Sequence, residues 1–549
     1  VLIAPGKITD FCPLYQQPGS DSAVSQFDKD DVEAIGLVKF DFLGLATLTI
    51  LELAKDTIRA RRAGRENFNY ENLPLDDARV YKLFSEGRTE AVFQFESRGM
   101  QGMLRDARPS RLEDLIALNA MYRPGPMENI PSFCARKHGK EPITYPHPLL
   151  APVLEETYGI FVYQEQVMLA AQVLAGYSLG GADILRKAMG KKKAEEMAQQ
   201  RQVFRDGAVK QHIGQAQADE VFDLMEKFAG YGFNKSHAAA YSLLAYHTAW
   251  IKVHCTAEFF AANMTVEADN TDKLGVLLAD AKLFGISFDA PDINRGTLRF
   301  EPVDDKRVRY GLGAVKGSGA GAVEAIVAAR DGTAGHEGQG GGPFRSLFDF
   351  CARVDRQRVN KRAVESLVKA GAFDALHADR AAALASVGLA FDWADTQAAH
   401  AQQAGLFDFG DTSDNHGSST QEPSLVNVPA WDLREKLMQE KAAIGYCLSG
   451  HLFDAWAPEV RRFARRAIAD LVDSREPQLL AGIVTDARTV NGQRGRVVIF
   501  KLDDGSESVE SVVSEELIES NRELLVEDQL IVVQGKLQPD RFSGGLRLN

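Results

Sequence analysis

The sequence predicts an α+β multidomain chain: a strand-rich opening segment, a large mostly α-helical region, a helix-hairpin-helix region and a small C-terminal β-barrel. Three observations carry that prediction. A chain of 549 residues, 45% hydrophobic and 25% charged, is too long for one core and divides into several globular units. Apolar residues recur at helical spacing from about residue 47 to residue 290. Beyond residue 479 they alternate in short runs separated by Gly and Asp turns.

Residues 1–46 read as short strands broken by Pro and Gly and ending in EAIGLVKFDFLGL. TLTILELAKDTIRARR then forms an amphipathic helix, and DDARVYKLFSEG, SRLEDLIALNAMY, KAEEMAQQRQVFRDGAVKQ and ADEVFDLMEKFAG continue the helical region to residue 290. Residues 291–310 alternate like a small hairpin, GLGAVKGSGAGAVEAIVAAR makes a glycine-bracketed turn into a helix, and 331–343 is a Gly-rich loop. NKRAVESLVKAGAFDAL (360–376) adds a second helical unit, which sets a region of 291–400. Residues 401–430 combine a short peptide with a Ser/Asp/Gly/Pro-rich linker, and a helical connector occupies 431–478. The strands LLAGIVTDARTV, GRVVIFKLDDG and DQLIVVQGKLQ give a barrel over 479–549, with its last strand cut short by the chain end.

A net charge of −13 argues against a uniformly basic nucleic-acid binder, but RKAMGKKK (186–193), RVDRQRVNKR (353–362) and RRFARR (461–466) concentrate positive charge locally. The five cysteines are far apart and form neither CxxC pairs nor zinc-ligand spacing, so a disulfide framework and a structural zinc are excluded as readings. No apolar run is long enough to span a bilayer, and VLIAPGKITDF lacks signal-peptide features. The chain therefore reads as cytoplasmic with no membrane partner. It lacks an initiator Met and finishes in a strand-like run, so both ends read as cut.

Several strings carry chemistry. In VKFDFLGL (38–45), strand alternation sets Lys39 and Asp41 on one face, backed by Val38, Phe40 and Phe42. That pair suits phosphoryl transfer, and it equally suits an exposed ion pair on a sheet. YRPGPM (122–127) presents Arg123 from a stiff Pro-Gly-Pro corner, as a ligand-binding or a helix-capping guanidinium. Arg186, Lys187 and Lys191 share a basic helix face that is either a phosphate contact or a solvated surface. GYGFNKSHAAAY (230–241) places Asn234, Lys235, Ser236 and His237 where a long helix begins, with Tyr241 one turn on. Unpaired backbone N–H groups and the helix dipole favour anions there, although Ser236 also fits a plain N-cap. In AVFQFESRGM (91–100), Gln94 and Ser97 are weaker candidates. Gly313, Lys316, Gly317 and Gly319 form a glycine hairpin suited to a DNA phosphate, and duplex binding here would also use the basic stretch around Arg358, Lys361 and Arg362. Gln403, Leu406 and Phe407 form a QxxLF string beside the linker, apart from any periodic helix, a peptide able to insert into a partner's pocket.

In that order VKFDFLGL, YRPGPM, VYQEQVM (162–168) and GYGFNKSH resemble the bacterial DNA polymerase III alpha subunits, the replicative polymerases of the C family, along nearly the whole chain. The resemblance implies template-directed DNA synthesis by two-metal nucleotidyl transfer with Mg²⁺. It makes 1–46 the end of the palm sheet, 47–290 the fingers, 291–400 the helix-hairpin-helix region and 479–549 a C-terminal OB-type β-barrel. Asp41 is implied as one of three metal-binding aspartates, with Lys39 beside it. Arg123, Arg186, Lys187, Lys191, Asn234, Lys235, Ser236, His237 and Tyr241 are implied as the pocket for deoxynucleoside triphosphates. Primer-template DNA is the partner of the hairpin region, and Gln403, Leu406 and Phe407 are implied to bind the sliding clamp among other replisome subunits. The family's two other aspartates belong to a PDxDxD-type segment not found in these residues, so this stretch alone is expected to be inactive. An error-prone paralogue used in lesion bypass and a non-catalytic scaffold for DNA and clamp are the competing readings. The acidic DDGSESVESVVSEE makes the barrel a poor match to a single-strand binding surface.

Overall fold

The structure is a computed structural model that describes residues 1–549 apart from 41, 43, 192, 193, 230, 334–340, 408–420, 493, 494, 515, 516, 518–520, 522 and 540–545. Within helices and strands, the side chains at 190, 191, 194, 229, 401–407, 475, 491, 492, 495, 496 and 514 also lie outside the described set. The chain divides into two compact units, Val1–Leu53 and Ala54–Asn549.

In the first unit β1 (Leu2–Ile3), β2 (Leu14–Tyr15), β3 (Val24–Ser25) and β4 (Val38–Lys39) pair as two small antiparallel ladders, β1 with β4 and β2 with β3. Helix α1 (Lys29–Ala34) starts at Asp28, whose carboxylate accepts the N–H groups of Asp30 and Asp31, and Cys12, Val32 and Leu37 make a small core. The expected strand through VKFDFLGL is shorter than its alternation suggests. β4 holds only Val38 and Lys39, and Val38, Phe40 and Phe42 are 52%, 45% and 78% exposed. A two-residue ladder offers no second layer to cover them within this unit.

Helix α2 (Ala46–Arg61) leads into the helical region, followed by α3 (Ala78–Ser85), α4 (Arg98–Ala107), α5 (Leu112–Met121), α6 (Ile130–Lys137), α7 (Ala151–Leu154), α8 (Gln164–Ala175), α9 (Leu179–Lys191), α10 (Ala194–Lys210), α11 (Gln215–Ala229), α12 (Lys235–His254), α13 (Thr256–Val266) and α14 (Thr271–Leu283). Helix α12 is the axis of this region. It packs on α3, α5 and α13, and it buries Ala238, Ala245, Tyr246, Ala249, Trp250 and Ile251. A second core, with Val167, Leu174, Phe204, Phe222 and Met225, gathers α8 to α11. Its Ala- and Leu-rich contact faces let the helices approach closely.

Strands β5 (Ser287–Asp289), β6 (Glu301–Pro302) and β7 (Arg307–Arg309) form a small mixed sheet in the order β5-β7-β6. Helices α15 (Ala320–Asp331), α16 (Leu347–Arg353), α17 (Lys361–Lys369) and α18 (Arg380–Phe407) follow. The backbone of α18 runs through 403–407, which corrects the expectation that the QxxLF string stands apart from any helix. Ala, Gln and Leu are strong helix formers, so AAHAQQAGLF extends the preceding helix. Helices α19 (Leu433–Ile444) and α20 (Ala457–Val460) precede β8 (Ser474–Gly492), β9 (Gly495–Asp503), β10 (Ser508–Ser514), β11 (Leu530–Pro539) and β12 (Leu546–Leu548). These strands close a barrel in the order β10-β12-β11-β8-β9 around Leu480, Val484, Phe500, Leu502 and Leu537. The fold is α+β and multidomain, mostly helical with a terminal barrel.

Candidate functional site

Two local structures meet beside the start of α12. The first is the start itself, where Asn234 takes an extended backbone and its side-chain oxygen accepts the His237 N–H at 2.8 Å. The second is the 88–97 loop. Ala91 and Gln94 hold left-handed φ of 56° and 67°, a conformation costly for residues with a Cβ and frequent at functional sites. Ser97 closes the loop by capping α4, accepting the Met100 N–H at 3.3 Å.

Between them lies a cleft of about 330 Å³ whose walls include Gln94, Ser97, Arg123, Phe233, His237 and Tyr241. Five of these were singled out from the sequence, from strings that together span more than a hundred residues. A continuous stack lines it. The Arg123 guanidinium sits 4.3 Å from the Phe233 ring, Phe233 meets His237 edge-on at 5.4 Å, His237 lies 4.1 Å from Tyr241, and Tyr241 lies 5.1 Å from Phe93. Arg123 donates to Ala120 O at 3.0 Å and Tyr231 O at 2.9 Å, so its place is fixed before any ligand arrives. Burial lowers its pKa, a desolvation penalty that a bound anion would relieve. A cationic fork at one end and flat rings along one wall suit a ligand with both an anionic and an aromatic part. A larger groove of about 1030 Å³, lined by Arg136, Tyr145, Phe161 and Phe228 among others, gathers none of the predicted residues.

Other expectations need correction. The helix start expected to cradle a phosphate holds the protein's own carboxylate. Glu165 accepts the Asn234 side-chain amide at 2.9 Å and the Lys235 N–H at 3.0 Å. The Lys235 ammonium turns to Glu156 at 2.6 Å, 5.4 Å from the buried Tyr163 ring. Asn234, Lys235 and Ser236 are thus not among the residues lining the cleft. The reason is the one that motivated the expectation: unpaired N–H groups attract an anion, and the first turn of α8 supplies one.

The rest of VYQEQVM works as a clamp on the same loop. Gln164 donates its N–H to Phe233 O at 2.9 Å and its side-chain amide to Gly232 O at 3.0 Å, while Gln166 Oε1 accepts the N–H groups of Val162 and Tyr163. Arg186 reaches this clamp by donating to Gln164 Oε1 at 3.3 Å. The basic face of α9 is partly neutralised, because Asp183 pairs with both Arg186 and Lys187 at 2.8 Å. Lys187 and Arg186 together hold the Asp183 carboxyl below its usual range. The Lys191 side chain lies outside the described residues.

In the hairpin region Gly313 is structural. Its N–H donates to Leu298 O at 3.2 Å, and a Cβ there would lie 2.5 Å from the Leu298 side chain. Residues 312–314 form one 3-10 turn ahead of α15, and the Lys316 N–H donates to Ala443 O at 2.9 Å. Gly317 takes a φ of +87° at an exposed corner, and Gly319 begins α15 without a side-chain cap. Arg358 approaches this end of α15, pairing with Glu324 at 2.8 Å, and Lys361 and Arg362 are exposed at the start of α17.

Asp41 and the side chains of Gln403, Leu406 and Phe407 lie outside the described residues. Lys39 pairs with Glu33 at 2.8 Å. Among the described residues no three His, Cys, Asp or Glu side chains come together as metal ligands, so they do not form the two-metal site that the resemblance implies. No described helix is long and apolar enough to cross a membrane. Sequence reasoning missed the roles of Glu165, Glu156 and Phe93. Glu165 lies inside VYQEQVM, so the signal was present, but its partner is about 70 residues away.

Residues 47–212 match the bacterial DNA polymerase III alpha subunit finger domain, and residues 1–44 match the bacterial DNA polymerase III alpha NTPase domain. Residues 285–383 match a helix-hairpin-helix motif, and residues 479–549 match an OB-fold nucleic acid binding domain. The DNA polymerase III subunit alpha of Neisseria meningitidis serogroup B is 49% identical over 545 residues, covering 99% of this chain and 46% of the relative. Over nearly its whole length this chain is similar to bacterial DNA polymerase III alpha subunits. The DNA polymerase III alpha subunits of Pseudomonas aeruginosa and Escherichia coli K12 are each 45% identical, over 579 and 562 residues, covering all of this chain and 48% of each relative. The chain spans about half the length of the curated relatives it matches. The finger-domain match contains Gln94, Ser97, Arg123 and Glu165, while His237 and Tyr241 complete the cleft from beyond it.

Proposed function

We propose that this chain contributes to template-directed DNA synthesis, as a member of the replicative DNA polymerase III alpha family, and that its cleft receives the incoming deoxynucleoside triphosphate. The observation that carries this reading is the convergence of Gln94, Ser97, Arg123, His237 and Tyr241 on one cleft, part of it within the matched finger domain. In this reading Arg123 meets the triphosphate and the His237–Tyr241 stack meets the base or sugar. Arg186 and Lys187 act from the rim, and Lys235 acts there only after leaving Glu156.

Primer-template DNA is assigned to the corner at Gly317 and Gly319 with Lys316, Arg358, Lys361 and Arg362, an arrangement suited to sequence-independent phosphate contacts. The sliding clamp is assigned to Gln403, Leu406 and Phe407 at the end of α18, and other replisome subunits are expected partners. Magnesium remains an expectation attached to Asp41. The stretch 1–549 by itself is proposed not to extend a primer, because two-metal catalysis needs more carboxylates than this one. The domain limits at 46, 290, 400, 430 and 478 and a cytoplasmic location belong to the same proposal. The relatives named DNA polymerase III subunit alpha favour the replicative reading over a lesion-bypass paralogue.

Photolabelling with an azido-purine deoxynucleoside triphosphate tests the reading on this chain. The label should map to the peptides carrying Gln94 or His237 and Tyr241, saturate, be displaced by unlabelled deoxynucleotide, and fall in Arg123→Ala. Labelling spread over unrelated peptides, or unaffected by competitor, would reject the cleft.

A further inference from the structure

Lys252 is fully buried on α12, two turns and more beyond the cleft, where an ammonium group needs a reason to be. Three oxygens surround it. Nζ donates to Arg88 O at 3.1 Å and to Glu90 O at 2.7 Å, and it pairs with Asp280 of α14 at 2.7 Å. The two carbonyls belong to the beginning of the 88–97 loop, immediately before the left-handed turn at Ala91. Farther along the same loop the Phe93 N–H donates to Thr248 Oγ1 at 3.2 Å, and the Phe93 ring packs on Tyr241. Tyr241, Thr248 and Lys252 are spaced by seven and four residues, which places them on one face of α12. One stripe of this helix therefore holds the whole loop that supplies Gln94 to the cleft.

We infer that Lys252 is a positioning residue for the cleft: by binding the Arg88 and Glu90 carbonyls from inside, it fixes the reversed loop that sets Phe93 and Gln94 against Tyr241. A salt bridge to Asp280 alone would not require these carbonyl contacts, and a hydrophobic residue at 252 could satisfy neither carbonyl. The functional half of this inference rests on the cleft being a nucleotide site.

The test compares three variants of this chain. Asp280→Asn removes the charge partner but leaves an amine with donors for both carbonyls. The double variant Lys252→Met/Asp280→Asn removes those donors without stranding a buried charge. Thr248→Val, close in shape, removes the acceptor for the Phe93 N–H together with the hydroxyl's bond to Ala245 O, whose carbonyl stays within the helix, and serves where the double variant does not fold. Azido-purine deoxynucleotide labelling is titrated in each, and amide hydrogen exchange is followed by peptide. The double variant should raise the half-saturating nucleotide concentration about tenfold, the size of effect expected for a lost buried hydrogen bond, with an unchanged labelling plateau. Thr248→Val should raise it about threefold, and Asp280→Asn should leave it near the parent value. In the double variant amides of 89–95 should exchange faster while those of the barrel do not change. Unchanged half-saturation, or faster exchange throughout the chain, would overturn the inference. Parent protein without saturable labelling removes the nucleotide reading and the functional half with it, and local exchange at 89–95 then decides the structural half.

Discussion

The imidazole of His237 lies against the ring of Tyr241, one turn along α12, with centroids 4.1 Å apart and planes inclined by 33°. Phe93 extends this stack on one side and Phe233 on the other, and Arg123 covers Phe233. The wall is built from side chains that the N-cap at Asn234 and the turn at Gln94 bring together, so its geometry depends on backbone features as much as on the rings.

Replacing Tyr241 by Ser should therefore weaken nucleotide binding more than it weakens the fold. Stacking on an aromatic side chain is worth about 1–3 kcal/mol per base, so the half-saturating nucleotide concentration should rise about tenfold or more. Titrated photolabelling beside a thermal melt checks this. Equal affinity with a lowered melting temperature would assign Tyr241 to packing alone.

Glu165 should matter to stability through the start of α12. Glu165→Ala removes the acceptor for the Asn234 amide and the Lys235 N–H and should cost about 1–2 kcal/mol. Glu165→Gln keeps an oxygen and should cost less. Urea unfolding of the two variants gives the comparison, and identical losses would contradict a hydrogen-bonding role.

Stability should also fall in mild acid through His247. This half-buried ring stacks on Tyr70 at 5.3 Å, and burial pushes its pKa down from 6.5 to about 4. Between those values the unfolded chain binds a proton that the folded chain refuses. The stabilising contribution is thus complete above pH 6.5 and is lost as the pH falls through about 4. Allowing for solvent over the ring, it amounts to about 2 kcal/mol. His247→Phe keeps the stack and removes the titration, so its stability should fall less than the parent's between neutral pH and pH 4. Parallel losses in urea titrations would exclude His247 as the source.

Changing Leu406 and Phe407 together to Ala should abolish retention of the chain on an immobilised bacterial sliding clamp while leaving its binding to primer-template DNA intact. A gel-shift and a pull-down on the same preparations separate the two. Undiminished clamp retention would reject the peptide assignment.

The helical region and the barrel were legible because their signals are local: apolar spacing in TLTILELAKDTIRARR and alternation in GRVVIFKLDDG survive without knowledge of neighbours. Arg123, His237 and Tyr241 were legible as strings, and the fold shows that they share a cleft with Gln94 and Ser97. What escaped depends on partners remote in sequence. Lys235 looked available until Glu156 was found 2.6 Å away, and the start of α12 looked open until Glu165 filled it. Gly313 looked like its neighbours Gly317 and Gly319, but the close approach of Leu298 gives it a packing role. No residue preference announces the left-handed turns at Ala91 and Gln94, which tertiary contacts impose. The QxxLF string looked isolated because its glycine and the polar run after it mask a helix that continues through Phe407.

The most direct test is an experimental structure of this chain with primer-template DNA and an incoming deoxynucleoside triphosphate. The account predicts the triphosphate beside the Arg123 guanidinium, with the nucleoside against His237 and Tyr241. A nucleotide bound instead in the larger groove beside Tyr145 and Phe161, with Arg123 and Tyr241 untouched, would contradict it.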